Sequence, residues 1–296
     1  MKNLLLTYPR LQTIGYSNQL VKLCHNARTT ESDKLFFDLS RTEFITPFAL
    51  ILLSGTIAEC LDQGKQCRFK SPSRPITKKF LSTIGFNKFF KLNNCDQKIE
   101  SRNVQLKRLK SIDYSLTDQI LDVFGDYLHM SEGITGSLKM ALNELMTNAF
   151  DHSGSDRGCY VCAQSYPRAK NIRLCIADFG IGILASLRKI DQYNDLVSDS
   201  DAITLAIQEG VTSRKNRTAG YGLTHIKRFI EVNGGEMHIL SGSGKELWNY
   251  SKDKELKESK TVLSPFEGTA IALLINANKE GFYFFKSEEE ELFPGD

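Results

Sequence analysis

The 296-residue chain lacks several things, and each absence narrows what it can be. No stretch approaches about 18 uninterrupted apolar residues, so the sequence offers no membrane-spanning helix. The apolar start, Leu4-Leu5-Leu6, is too short for a secretory signal and is cut off by Pro9-Arg10, so it reads as a first strand. No charge dominates. The 38 Lys and Arg nearly balance 35 Asp and Glu, for a net +3, and nucleic acid is not indicated as a partner. There is no second cysteine pair to match Cys159-Tyr160-Val161-Cys162, which favours a plain strand over a zinc or redox site. Within a strand, two side chains at that odd separation face opposite ways, which predicts a strand carrying two small buried thiols. Seven cysteines without a framework fit the reducing cytoplasm. A phosphate loop is also missing. Gly242-Ser243-Gly244-Lys245 has Ile239 where such a loop needs Gly and Glu246 where it needs Ser or Thr, and it reads as a hairpin turn.

What is present is ordinary for a soluble globular protein: 41% apolar and 25% charged residues, in a length that allows one large or two medium domains. The most informative stretch is Asn143-Glu144-Leu145-Met146-Thr147-Asn148-Ala149-Phe150-Asp151-His152. Leu138, Ala141, Leu142, Leu145 and Ala149 recur at helical spacing, with Ser131 placed as an N-cap. Glu144 and Asn148 stand four apart on one face, and Asp151 extends it. A carboxylate one turn from a carboxamide can hold a water or hydroxyl beside a magnesium-bound phosphate; it also suits a plain solvated face. Two further signals follow in order. Asp178-Phe179-Gly180-Ile181-Gly182 comes directly after the apolar run 172–177, and Gly220-Tyr221-Gly222-Leu223 opens a helical pattern over 224–232. Glycines in such places let the backbone turn sharply and bring N–H groups to phosphate oxygens at a helix N-terminus.

Together these resemble the N box and the two glycine boxes of the GHKL ATPases, the superfamily of gyrase, the ninety-kilodalton heat-shock chaperone, histidine kinases and MutL, with the anti-sigma serine kinases as relatives. The resemblance spans roughly Ser131 to Asn276 and includes Gly268-Thr269 before an apolar strand, where the family has its closing Thr. It implies a Bergerat-type α/β sandwich with helices on one face of a mixed sheet, and ATP and Mg2+ as cofactors. Asn148 would be the magnesium ligand and Glu144 the general base. Asp178 would accept from the adenine amino group with Thr269 beside it, and Asp151 would lie near the nucleotide. Gly180, Gly182, Gly220, Tyr221, Gly222 and Leu223 would form the ligand-facing turns. Within a lid-like segment over 183–219, Lys215, with Arg214 and Arg217, would meet the terminal phosphate or stand as a solvated loop.

The first hundred residues alternate differently. A buried strand over 34–40, a helix entered at Pro47 and stopped at Gly64, a short strand over 67–70 and a helix over 76–84 ended by Gly85 suggest a small sheet with helices packed on it. The strand ending in Asp38-Leu39-Ser40, the apolar helix start and the Ile84-Gly85-Phe86 exit are similar to a STAS domain. That family's phosphorylated dipeptide falls on Pro47-Phe48, with only Thr46 offering a hydroxyl nearby, so a docking or dimerising role is expected. The whole reads as a two-domain α/β (α+β) protein: residues 1–100 STAS-like, 101–115 a polar linker, 116–280 the ATP-binding domain and 281–296 an acidic tail. The resemblance implies an Mg-ATP-binding regulatory protein that hydrolyses ATP or transfers its phosphoryl group, with lid closure coupled to a protein regulator. One alternative is a serine/threonine kinase of anti-sigma type acting on a separate STAS or sigma/anti-sigma partner; another is a non-catalytic nucleotide-gated module. By analogy with the family, a homodimer is expected. A histidine kinase is disfavoured, because His129 in Leu128-His129-Met130 does not match the family's phospho-accepting pattern.

Overall fold

The computed structural model describes residues 3–7, 17–92, 103–151, 157–211, 222–251, 256–277 and 282–283. Strands β1 (Asn3–Thr7), β2 (Lys34–Asp38) and β3 (Gln66–Lys70) form a parallel three-stranded sheet in that order. Helices α1 (Ser17–Thr29) and α2 (Pro47–Asp62) connect them, and α3 (Pro75–Thr83) and α4 (Phe86–Phe89) follow. Helix α2 starts where Thr46 caps it, its hydroxyl accepting from the Ala49 N–H at 3.2 Å, with Pro47 in the first turn where no donor is lost. It ends ahead of Gly64, whose φ of +81° suits glycine.

The rest of the chain builds a five-stranded sheet in the order β4-β6-β7-β9-β8. Its members are β4 (Asn103–Leu109), β6 (Cys159–Tyr166), β7 (Asn171–Asp178), β8 (Glu236–Asn249) and β9 (Leu256–Asn276). Every pairing in it is antiparallel, so the sheet is not mixed. Helices α5 (Tyr114–Gly125), α6 (Glu132–Asp151) and α9 (Gly222–Asn233) pack on one face. Between β7 and α9 run the short α7 (Gly182–Leu187) and α8 (Asp199–Ala206). A two-residue parallel pair joins β5 (His129–Met130) to β10 (Phe282–Tyr283), inside the span expected to be tail.

Helices do not cover only one face. Residues Pro47 through Cys60 of α2 are buried without a break, and a helix apolar all round needs packing partners on every side. It lies against β6, β7 and β9 on one side and β3 on the other, with α1 beside it and also against β9. Strand alternation feeds the two cores. Cys159, Val161 and Ala163 face α5, α6 and α9, while Tyr160 and Cys162 face α1 and α2. The two thiols are therefore buried on opposite faces, as their odd spacing predicts. In β9, Ile271, Leu273 and Ile275 enter one core and Ala270 and Ala272 the other. The layers are thus sheet, helices, sheet, helices, and each fully buried Leu or Ile contributes about 1.5–3 kcal/mol.

Two local readings are corrected. Residues 103–109, read as linker, are the edge strand β4. A bulge between Val104 and Lys107 breaks its alternation, and its buried residues divide between the two cores, Val104 and Leu109 entering one and Leu106 the other, so no period of two marks it as a strand. Gly242-Ser243-Gly244 is a bulged stretch inside β8 rather than a hairpin turn. Asp199 of α8 accepts from the Ser243 N–H at 2.8 Å, and a methyl group at position 242 would lie 2.3 Å from that carboxylate.

Candidate functional site

The site grows from α6. Ser131 caps the helix, its hydroxyl accepting from the Ile134 N–H at 3.1 Å. Ile134, Leu138, Ala141, Leu142, Leu145, Met146 and Ala149 are all buried, and this fixes the roll of the helix. Glu144 and Asn148 then share a face that opens on a cavity of about 840 Å³, open solvent at its mouth included. The opposite wall comes from Asp178 and Ala177 of β7, Thr269 and Ile271 of β9, and the turn into α7 at Gly182 and Ile183. Gly222 and Leu223, at the start of α9, close the Glu144 side. A methyl group at Gly222 would lie 3.0–3.2 Å from the Glu144 side chain. Glycine there brings the N-terminus of a 12-residue helix, with its unpaired N–H groups and positive dipole end, against the carboxylate.

Asp178 is the most perturbed group of the cavity wall. It is 8% exposed and pairs across the ladder with Thr269. Burial pushes its carboxyl up from 3.8 to about 7, and backbone N–H groups of Gly180 and Thr269 pull back only part of the way. The Gly180 N–H donates to its Oδ1 at 3.0 Å. Gly180 thus acts by aiming the carboxylate and is not itself a cavity-lining residue. Gly182 has φ +79° and lines the cavity; a methyl group there would lie 2.9 Å from Ser241 Oγ. Gly268 has φ +123°, and a methyl group there would lie 2.2 Å from the Asp178 carbonyl oxygen. Only glycine lets β9 come this close to β7 beside the carboxylate.

One residue that sequence reasoning missed ties these turns together. Ser241 of β8, 1% exposed, accepts from the Ile183 N–H at 2.9 Å, donates to the Gly268 carbonyl at 3.1 Å and stands 3.3 Å from Thr269 Oγ1. A serine ending an apolar strand carries no signal of such a role. Ser186 and Leu187 of α7, Ala206 of α8 and Val211 also line the cavity. Asp151 lies exposed at the end of α6 and does not line the cavity. Lys215, Gly220 and Tyr221, with His152, lie outside the described residues.

The donor set fits a magnesium ion held mainly by phosphate and water. Asn148 offers a hard amide oxygen beside the Glu144 carboxylate, and Mg2+ typically takes only one or two protein ligands next to a nucleotide. Among the described residues no group of three or more His, Cys, Asp or Glu side chains forms a separate metal cage.

This geometry agrees with a comparison of families. Residues 133–266 match the histidine kinase-, DNA gyrase B-, and HSP90-like ATPases. The match covers under half of the chain. The match begins in α6, and Gly268 and Thr269 lie just beyond its end. It does not extend to the first 132 residues. No curated protein matches the chain at a significant level. Among the described residues, no helix is long and apolar enough to cross a membrane.

Proposed function

We propose that the chain binds Mg-ATP in this cavity and cleaves its terminal phosphoanhydride bond, as a regulatory protein whose partner contacts follow the nucleotide state. The observation that carries the reading is the buried Asp178 carboxylate, aimed by the Gly180 N–H and flanked by Thr269, on the cavity wall facing the Glu144–Asn148 pair. A desolvated carboxylate accepting from an exocyclic amine selects adenine over guanine, which presents a carbonyl at that position. The phosphates then run toward Gly222, where helix N–H groups favour anions. Asn148 would hold the magnesium ion, which would neutralise phosphate charge. Glu144 takes the proton of the attacking water or protein hydroxyl while the oxygen bonds to the γ-phosphorus and the bond to the ADP oxygen breaks.

The anti-sigma-type kinase reading differs only in the acceptor. The hydroxyl nearest to the STAS-like phospho-acceptor position is that of Thr46, 2% exposed and engaged as the cap of α2. An acceptor in this arrangement would come from another chain, and a STAS-type protein regulator is the partner we propose. The test is magnesium-dependent ATP binding and phosphate release by the wild type beside Glu144→Gln. Retained affinity with turnover lost supports Glu144 as the base; lost affinity removes that assignment.

A further inference from the structure

The side of the ATPase sheet away from α6 bears directly on the adenine end of the cavity. Asp178 is followed by Phe179, 1% exposed, whose ring belongs to the core shared with α1 and α2. That ring meets Tyr160 at 5.2 Å and Phe266 at 5.3 Å between centroids, both edge-on. It also meets Gly55 of α2, where a methyl group would lie 2.0 Å from the ring. No other residue at 55 leaves Phe179 where it is. One turn along the same helix, Glu59 is 5% exposed and pairs with Arg28 of α1 at 2.7 Å and with Arg157 at 2.9 Å. Arg157 in turn donates to the Phe179 carbonyl at 3.1 Å. Arg28 and Arg157 both also pair with Glu267, the residue before Gly268-Thr269. Gly55 and Glu59 therefore hold, from one helix face, the chain just after Asp178 and the chain just before Thr269. These two segments carry the groups read above as adenine-binding.

We propose that Gly55 and Glu59 of the amino-terminal unit are positioning residues for adenine recognition, so that this unit is a structural part of the nucleotide site rather than a separate module joined by a linker. The proposal rests on the ATP-binding reading of the cavity. Its physical basis is that a buried carboxylate reads a single donor only when held within a fraction of an ångström, and α2 sets the position of the peptide that follows it. Burial raises the Glu59 carboxyl above its ordinary range, while the two guanidinium groups pull it back. Removing its charge would leave those cations only the more exposed Glu267 as a shared carboxylate at the turn.

The experiment compares ATP with GTP affinity, by calorimetry with magnesium present, for full-length wild type, Gly55→Ala, Glu59→Gln and the double variant Gly55→Ala/Phe179→Leu. Circular dichroism confirms folding in each case. A merely structural role changes the folded fraction but leaves the ATP-to-GTP ratio of the folded molecules alone. We expect that ratio to fall about tenfold in Gly55→Ala and in Glu59→Gln, and to recover in the double variant, where the smaller side chain makes room for the methyl group. If Gly55→Ala does not fold, Glu59→Gln decides. A wild-type ratio in folded Glu59→Gln and Gly55→Ala overturns the proposal while leaving the ATP site standing. Failure of the wild type to bind ATP at all overturns the underlying reading and the proposal with it.

Discussion

Replacing Asp178 by Asn should make the unliganded protein more stable, by an amount that depends on pH. In the folded chain the carboxyl is raised from 3.8 to about 7. Folding therefore binds its proton more tightly than the unfolded chain does. The stability linked to this group is complete below about pH 3.8, falls as pH rises through the window up to about 7, and is constant above it. Each unit corresponds to about 1.36 kcal/mol, so the charged form costs at most about 4 kcal/mol at pH 8. The carboxamide of the Asp178→Asn variant would keep an oxygen to accept from the Gly180 N–H and would carry no charge to desolvate. Urea denaturation of wild type and Asp178→Asn at about pH 4.5 and about pH 8 gives the difference in stability. Taking the difference cancels every other titrating group. A desolvated Asp178 requires a small difference at the lower pH, growing to a few kcal/mol in favour of Asp178→Asn at the higher. The same difference at both would mean that Asp178 titrates as an ordinary exposed carboxyl, and the desolvated adenine-reading site would be wrong. A gain in stability with a loss of binding is also the pattern expected of a strained functional group.

Two further outcomes follow from the same geometry. Gly268→Ala should cost about 2–4 kcal/mol and lose nucleotide affinity, because a methyl group would be forced to 2.2 Å from the Asp178 carbonyl at φ +123°. Gly64→Ala, also at positive φ but with open space around it, should cost only about 1 kcal/mol, and equal thermal shifts for the two would count against the close approach. Thr46→Ala removes the cap of a fully buried helix and should cost about 1 kcal/mol in urea denaturation; an unchanged midpoint would mean the cap contributes nothing.

The site was legible in the sequence where its chemistry is local. Glu144 and Asn148 sit on a strongly periodic helix, and Asp178 ends an apolar run before two glycines, so short-range pattern placed all three on the cavity wall. Thr269 was singled out through the family resemblance, as the closing Thr before an apolar strand. What stayed hidden depends on contacts far apart in the chain. Ser241 acts only because β8 lies beside β9 and against the α7 turn. Strand β4 was read as linker because its polar residues dominate and its bulge breaks the period of two. The covering of the second sheet face left two unused signals. Helix α2 is apolar on every side, and Cys159 and Cys162 must both be buried although they point opposite ways. Each implies a core on both faces of the sheet. Neither says that the partner of α2 is the chain's own ATPase sheet, because nothing local marks Gly55 as the seat of the Phe179 ring.

Adenine reading by Asp178 is best tested by calorimetric titration of Mg-ATP into the purified chain at about pH 8, wild type beside Asp178→Asn, both confirmed folded. One ATP site is expected in the wild type and no measurable binding to Asp178→Asn, since the group that reads the adenine amine is gone. Equal affinity in the two, or no binding to the wild type, would contradict it.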